Sequence, residues 1–389
     1  MEHPQAAATS RIPVLLYVAV AIEALGYGGI FALLAELQKE YDLPTSGLGL
    51  IGGASFLAGV VAQVSLARYA DRGYTRLLLR GGLAVAAAGM LWFGLATELW
   101  QFVGARILLG LGSGVFIPAT RRVVVSRAGD RSGEALGRLA SVEVGGFIAG
   151  PPIAALIAGV LGLHAPFIVF AIALAITSPA VARIEEPPVE PQGDKRAVRL
   201  LLRRRGVLAG LSLGAALFLS IGVFDAMWAK YMSDLGASTA VIAATLALFA
   251  LPLVALSPFG GRLADRRGPI RSGVVALVIT VPCIAGYGLT GSIVFASVLA
   301  LVHSVCDAVT TPAGQSAVAR GAPASLAAAG QGLYGAVGAA AAAFAAFGAA
   351  PIYGGAGPET MWIVCAGLVG VLAVVAHILG RGTTIDEPR

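Results

Sequence analysis

The chain has 389 residues, 57% of them hydrophobic and only 12% charged, too few charges to cover a soluble globule of this size, and its mean hydropathy is +0.84. That composition describes an integral membrane protein, and the net charge of +6 follows from its topology rather than from any affinity for nucleic acid. Cys283, Cys306 and Cys365 all fall inside apolar runs, so no disulfide framework and no metal or cofactor site is indicated.

In chain order, apolar windows at residues 13–35, 47–67, 77–97, 100–120, 138–160, 163–183, 206–229, 238–259, 272–290, 292–312, 326–350 and 360–380 predict twelve helices. Each window is about 20 residues, enough to cross a hydrocarbon core of about 30 Å. The ten-residue alternation of a membrane β-barrel is absent. The first window follows a short polar start, is too long for a signal-peptide core and has no persuasive cleavage site, so it is expected to remain as a helix. Between the sixth and seventh windows, residues 184–205 carry Pro187, Pro188 and Pro191 and then Arg203, Arg204 and Arg205. This linker predicts a bundle at 1–183 and another at 206–389.

With the N-terminus inside, 24 of the 27 basic residues lie at or near the cytoplasmic face, the exceptions being Lys39, Lys230 and Arg106. Both termini are therefore expected in the cytoplasm. Arginine outnumbers lysine 24 to 3, beside heavy alanine and glycine use, which suggests a high-GC bacterial genome, and with this topology the expected location is the cell inner membrane.

Glu23, Arg106, Glu143, Asp225 and Asp307 interrupt the apolar runs. A charge at the bilayer centre costs roughly 2.5–3.5 kcal/mol, so such residues need partners or a water-filled cavity, and they point to a path for a solute or for protons. Glu23 lies roughly 15 Å from the inner end of its helix and Arg106 roughly 10 Å from the outer end of its own. In a core of about 30 Å those levels differ by about 5 Å, so the two side chains can meet. Glu23 is then the expected proton carrier and Arg106 the cation that tunes it; the alternative is a structural ion pair. Glu143 has Arg121 and Arg138 as candidate partners. Asp225 either receives protons or cations from outside or pairs with Lys230. His303 stands one turn before Asp307 on the same face, a spacing that suits a proton relay or simple packing. Gly330, Gly332 and Gly335 in GQGLYG satisfy GxGxxG, but no strand precedes them, so a dinucleotide site is rejected and Gln331 and Tyr334 are assigned to the cavity. No Walker loop, HExxH or GxSxG occurs, and no enzymatic activity is expected.

The halves resemble one another at ARYADRGYTR, residues 67–76, and GRLADRRGPIR, residues 261–271, with Asp71 and Asp265 offset by 194 residues. Duplicated six-helix units are how many secondary transporters are built. In each copy the aspartate is placed to cap the helix that follows. The string from Gly261 to Gly268 resembles the signature loop of the major facilitator superfamily. The first copy departs from it, with Ala67 for the first glycine, Tyr69 for leucine and Gly73 one residue early. Arg106 with Gly110, Gly112 and Gly114 is similar to the RxxxGxG pattern of proton-coupled members. GFIAGPPIAA, with Gly146, Gly150 and Pro151 one turn after Glu143, resembles the GxxxGPxxGG signature of drug/proton exchangers, ending in Ala154 and Ala155 instead of two glycines.

The resemblance implies an all-α membrane protein of twelve helices in two pseudo-symmetric six-helix bundles around a cavity, working by alternating access. Asp71 with Arg72, and Asp265 with Arg266, would form latches that open and close; Gly146 and Gly150 would let helices approach closely, and Pro151 with Pro152 would bend their helix against leak. The activity implied is proton-coupled export of small amphipathic or drug-like compounds. Uptake of a sugar or organic acid by symport or facilitation is the alternative. The expected partners are a small-molecule substrate, protons and the lipid bilayer, with a monomer the family's habit.

Overall fold

The computed structural model describes residues 12–43, 45–181, 183–184, 197–383 and 385, and every regular element among them is helical. Almost all of the polar start, and Pro187, Pro188 and Pro191 of the expected linker, lie outside the described residues. The first bundle is α1 (Val14–Glu40), α2 (Thr45–Leu66), α3 (Thr75–Leu95), α4 (Leu99–Ala128), α5 (Ser132–Leu161) and α6 (Ala165–Val181). A five-residue helix, α7 (Ala197–Leu201), lies in the region expected to be linker. The second bundle is α8 (Arg205–Asp234), α9 (Thr239–Arg267), α10 (Pro269–Leu289), α11 (Ile293–Gly321) and α12 (Ala327–Gly380).

The last element holds two spans. Its 54 residues are broken at Gly357, whose φ of 86° and ψ of 169° lie in a region essentially reserved for glycine. Pro358 follows at the first position of the second arm, where its missing N–H removes no helical bond. The expected windows at 326–350 and 360–380 are thus joined by a one-residue break instead of a loop, and the two arms complete the twelve spans. Other ends are marked by local chemistry. Glu98 and Gln101 form a reciprocal capping box at α4, and Ser238 and Ser292 accept from Val241 and Phe295 at the starts of α9 and α11.

Each bundle has its own core. In the first, Phe93 lies edge-on to Phe167 and Phe102 with centroids 4.9 and 5.0 Å apart. In the second, Trp228, Tyr287 and Trp362 pack together, Tyr287 being 5.3 Å from Trp228 and 5.0 Å from Trp362. Outside these cores the pattern of a soluble protein is reversed: Leu156, Val160, Val294 and Phe347 are exposed, as surfaces facing lipid require.

The glycines after Arg106 serve two neighbours in alternation. Gly110 lies against the Ser55 carbonyl on α2, and a methyl group on Gly114 would stand 2.6 Å from the Gly59 carbonyl on the same helix. A methyl on Gly112 would stand 2.5 Å from the Gly82 carbonyl on α3. Spacing by two therefore presents bare backbone to α2 and α3, so that three helices meet at backbone distance.

The bundles join at the arginine-rich end, where α5 crosses α9. Gly261 lies against the Gly133 carbonyl, and Gly137 against that of Ser257. A matching contact joins α2 to α12, where a methyl on Gly332 would be 2.7 Å from Ala67 Cβ and 2.8 Å from the Gln63 carbonyl.

Candidate functional site

The two signature loops fold alike despite the degraded first copy. A 3-10 turn, Ala67–Arg72, follows α2, and Gly73 then takes φ 87°; Gly268 after α9 takes φ 90°. The early glycine of the first copy thus supplies the same positive φ.

The aspartates do not cap the helices that follow them. Asp71, fully buried, accepts from the backbone N–H groups of Ala328 and Ala329 at 2.8 and 2.9 Å, the start of α12 in the other bundle. Asp265 accepts from Gly133 and Glu134 at 3.0 and 2.9 Å, the start of α5. Each carboxylate satisfies amides that a helix N-terminus leaves without partners, where the helix dipole also favours negative charge. The cations differ from expectation as well. Arg122 on α4 donates to Asp71 at 3.0 Å, and Arg320 on α11 donates to Asp265 at 2.7 Å. Arg72 instead lies over the Tyr69 ring, 5.2 Å from its centroid, and Arg266 is exposed. Arg262 on α9 adds an ion pair across the joint, 3.5 Å from Glu134. The two aspartates form a crossed pair of caps related by the offset between the halves.

Glu23 is buried on α1, only 3% exposed, and its Oε1 accepts no hydrogen bond among the described residues. Ser113 lies against the carboxyl, and its charged neighbours are Glu143 and Arg121. The expected meeting with Arg106 runs instead through Tyr27, which neighbours both residues. Arg106 is fully buried, donates to the Ile51 carbonyl at 3.0 Å and lies over the faces of Tyr27 and Phe31, 5.0 and 5.4 Å from their centroids. Tyr27 and Ser55 share a hydrogen bond of 2.9 Å. Of the two candidate partners for Glu143, the structure selects Arg121, at 3.3 Å, since Arg138 pairs with Glu134 at 2.5 Å. Glu143 is 26% exposed, so water reaches one side of a pair whose neighbour, Glu23, is dry. Gly146 and Gly150 seat α5 on α1: a methyl on Gly146 would stand 2.8 Å from the Ala21 carbonyl, and Gly150 lies against that of Leu25. Pro151 and Pro152 fall within α5 just beyond.

In the second bundle, Asp307 is fully buried, and neither of its carboxylate oxygens has a hydrogen-bond donor among the described residues. His303 Nε2 stands 3.5 Å from Asp307 Oδ2 without a hydrogen bond, while Nδ1 shares one of 3.1 Å with the Tyr287 hydroxyl. Gln331 donates to the Gln315 carbonyl at 2.9 Å, and Tyr334 packs over Gly214 and Gly314. Both side chains are buried inside the bundle rather than lining open space. Beside His303 runs an aromatic stack: Phe249 on Phe224 at 4.2 Å and Phe224 on Trp228 at 4.4 Å, with His303 edge-on to Phe249. Asp225 follows Phe224, is exposed, and has no ionic or hydrogen-bond partner among the described residues. Lys230 pairs with Asp234 instead, at 3.0 Å, and the hydrogen bond from the Tyr353 hydroxyl, followed by that from the lysine, holds the Asp234 carboxyl below its usual pKa.

The arrangement is a membrane-embedded pair of bundles, joined at one end by crossed caps, with buried acids in both halves. The major facilitator superfamily model matches residues 16–346 and again 211–388. The chain belongs to the major facilitator superfamily. It is therefore a multi-pass membrane transporter of small molecules and not an enzyme. It is similar to the multidrug resistance protein MdtG of Dickeya zeae (strain Ech586), 28% identical over 279 residues, which are 69% of this chain and 68% of the relative. MdtG of Enterobacter lignolyticus (strain SCF1) is 32% identical over 249 residues, 60% of this chain and 58% of the relative. Among solved structures, the E. coli fucose:proton symporter FucP superposes with a TM-score of 0.78 at 14% identity, covering 95% of this chain and 98% of that one. The human organic anion transporter MFSD10 gives 0.72 at 18% identity, with 93% and 98% covered. At these identities the two structures speak for the fold alone.

Residues 106–114, 146–151 and the two loops are marked by patterns in the sequence. Arg122, Arg320, Tyr27, Ser113 and the aromatic stack are not, because nothing in a local pattern distinguishes them from topogenic arginines and ordinary apolar residues.

Proposed function

We propose that this facilitator exports small amphipathic or drug-like compounds in exchange for protons, by alternating access, in a bacterial inner membrane with both termini in the cytoplasm. The halves 1–183 and 206–389 would rock about the crossed caps, tethered by residues 184–205. The observation that carries the proton is Glu23: a buried carboxyl with an oxygen lacking a donor, beside the partly exposed Glu143–Arg121 pair. A buried charge is stable only when paired or neutralised, so such a group is suited to taking up and releasing a proton as its surroundings alternate between wet and dry. Asp307 beside His303 is a second acid of the same kind. Asp225, exposed and without a partner beside Phe224, suits a cationic amphiphile. The multidrug resistance proteins among the relatives support export.

The test is proton movement in inverted membrane vesicles, read with a pH-sensitive dye, while cationic, neutral and anionic amphiphiles are added. The expected outcome is collapse of the pH gradient on adding a cationic amphiphile, lost in Glu23→Gln. Silence across the panel, with accumulation of a metabolite by cells, would replace export by uptake.

A further inference from the structure

A groove of about 400 Å³ runs along the outside of the first bundle between α3 and α6. On α3 it is walled by Arg80, Ala84, Ala88 and Leu91, three or four residues apart and so on one face. On α6 it is walled by Ala175 and Pro179 among others. Alanines on both walls leave a furrow where larger side chains would have closed the surface. From Arg80 to Leu91 the furrow is roughly 16 Å long, the rise of eleven helical residues. One leaflet's share of a hydrocarbon core of about 30 Å has nearly that depth.

Its ends differ in charge. The Arg80 side chain is exposed at one end with no ionic or hydrogen-bond partner among the described residues, while its carbonyl accepts from Ser178 at 2.9 Å and ties the two helices together there. Arg76 Nε donates to the Ile184 carbonyl at 2.8 Å, holding the chain beyond α6 at the start of α3. Arg183, exposed and likewise without a side-chain partner among the described residues, is thereby kept at the same end. The opposite end is closed by the apolar Leu91.

We propose that this groove is a binding site for one phospholipid with an anionic headgroup, its phosphate and head held by Arg80 and Arg183 and one acyl chain lying along Ala84 and Ala88. The charge decides the occupant. Each arginine near the surface favours an anionic lipid by about 1 kcal/mol, about fivefold, and the furrow holds the chain in a fixed place.

Native mass spectrometry of the full-length protein, stripped of lipid in detergent and then given equal concentrations of phosphatidylglycerol and phosphatidylethanolamine, tests this. Wild type is expected to retain one phosphatidylglycerol in preference, by about fivefold for each arginine engaged. Arg80→Gln with Arg183→Gln should bring the two lipids to parity. Ala88→Trp, which fills the furrow from its exposed side, should lose the retained lipid of either kind while the lipid-free protein melts at the wild-type temperature. Equal retention of both lipids by wild type, or undiminished phosphatidylglycerol on Ala88→Trp, would overturn the proposal. Should Ala88→Trp fail to fold, the arginine variants decide it, an unchanged preference being the negative result.

Discussion

At the scale of single residues, the charges in and around the signature loops are not equivalent. Arg122 and Asp71 are 3% and 0% exposed, and removing one partner of a buried pair costs about 3–5 kcal/mol because the other is stranded. Arg122→Met is accordingly expected to lower thermal stability in detergent by that amount, whereas Arg266→Gln, at an exposed site, should stay within about 0.5 kcal/mol. Equal melting shifts for the two would contradict the assignment of Arg122. Asp71 and Asp265 were legible in the sequence because a charged string between apolar windows has few other uses. Their partners were not, since the amides of Ala328 and Ala329 stand 257 and 258 residues from Asp71. The same holds for Tyr27. An aromatic residue in an apolar helix has no local mark, and only folding sets it beside both Glu23 and Arg106. For Glu23 the sequence supplied the depth and the structure supplied the company.

At the scale of elements, the twelve windows were readable because a bilayer imposes length and composition together, and composition alone could not reveal the helix that continues past residue 350. Pro351 lies within α12 without ending it, while Gly357 breaks it through backbone conformation. A methyl group at Gly357 would meet nothing within 4 Å, so any effect of substitution is conformational rather than steric. Gly357→Ala is expected to cost about 1–3 kcal/mol, read as a lower melting temperature with no change in monodispersity. No loss on substitution would mean that the break relaxes into continuous helix. The alternating glycines of α4 make a complementary prediction. Gly112→Val should force α3 away from α4 and abolish folding to a monodisperse species, because the obstacle is the Gly82 backbone, which has no side chain to move aside.

At the scale of the whole molecule, the bundles meet where the arginines are, so this conformer is closed at that end. A methyl on Gly145 would stand 3.6 Å from Val254 Cγ1 across the joint, within reach of a disulfide. Gly145→Cys with Val254→Cys, oxidised, is expected to stop transport completely and to recover with a reductant; transport undiminished by a quantitatively formed bond would show that the joint never opens. The glycine contacts at this joint have a mechanical consequence. Gly133, Gly137 and Gly261 bring bare backbone of the two bundles together, so the surface between the ionic contacts is free to slide and lift, like two flat stones held by a clasp at each edge. Since each clasp is an aspartate of one bundle gripping a helix of the other, neither bundle can let go by itself, and the duplicated chain turns two local grips into a single decision to open.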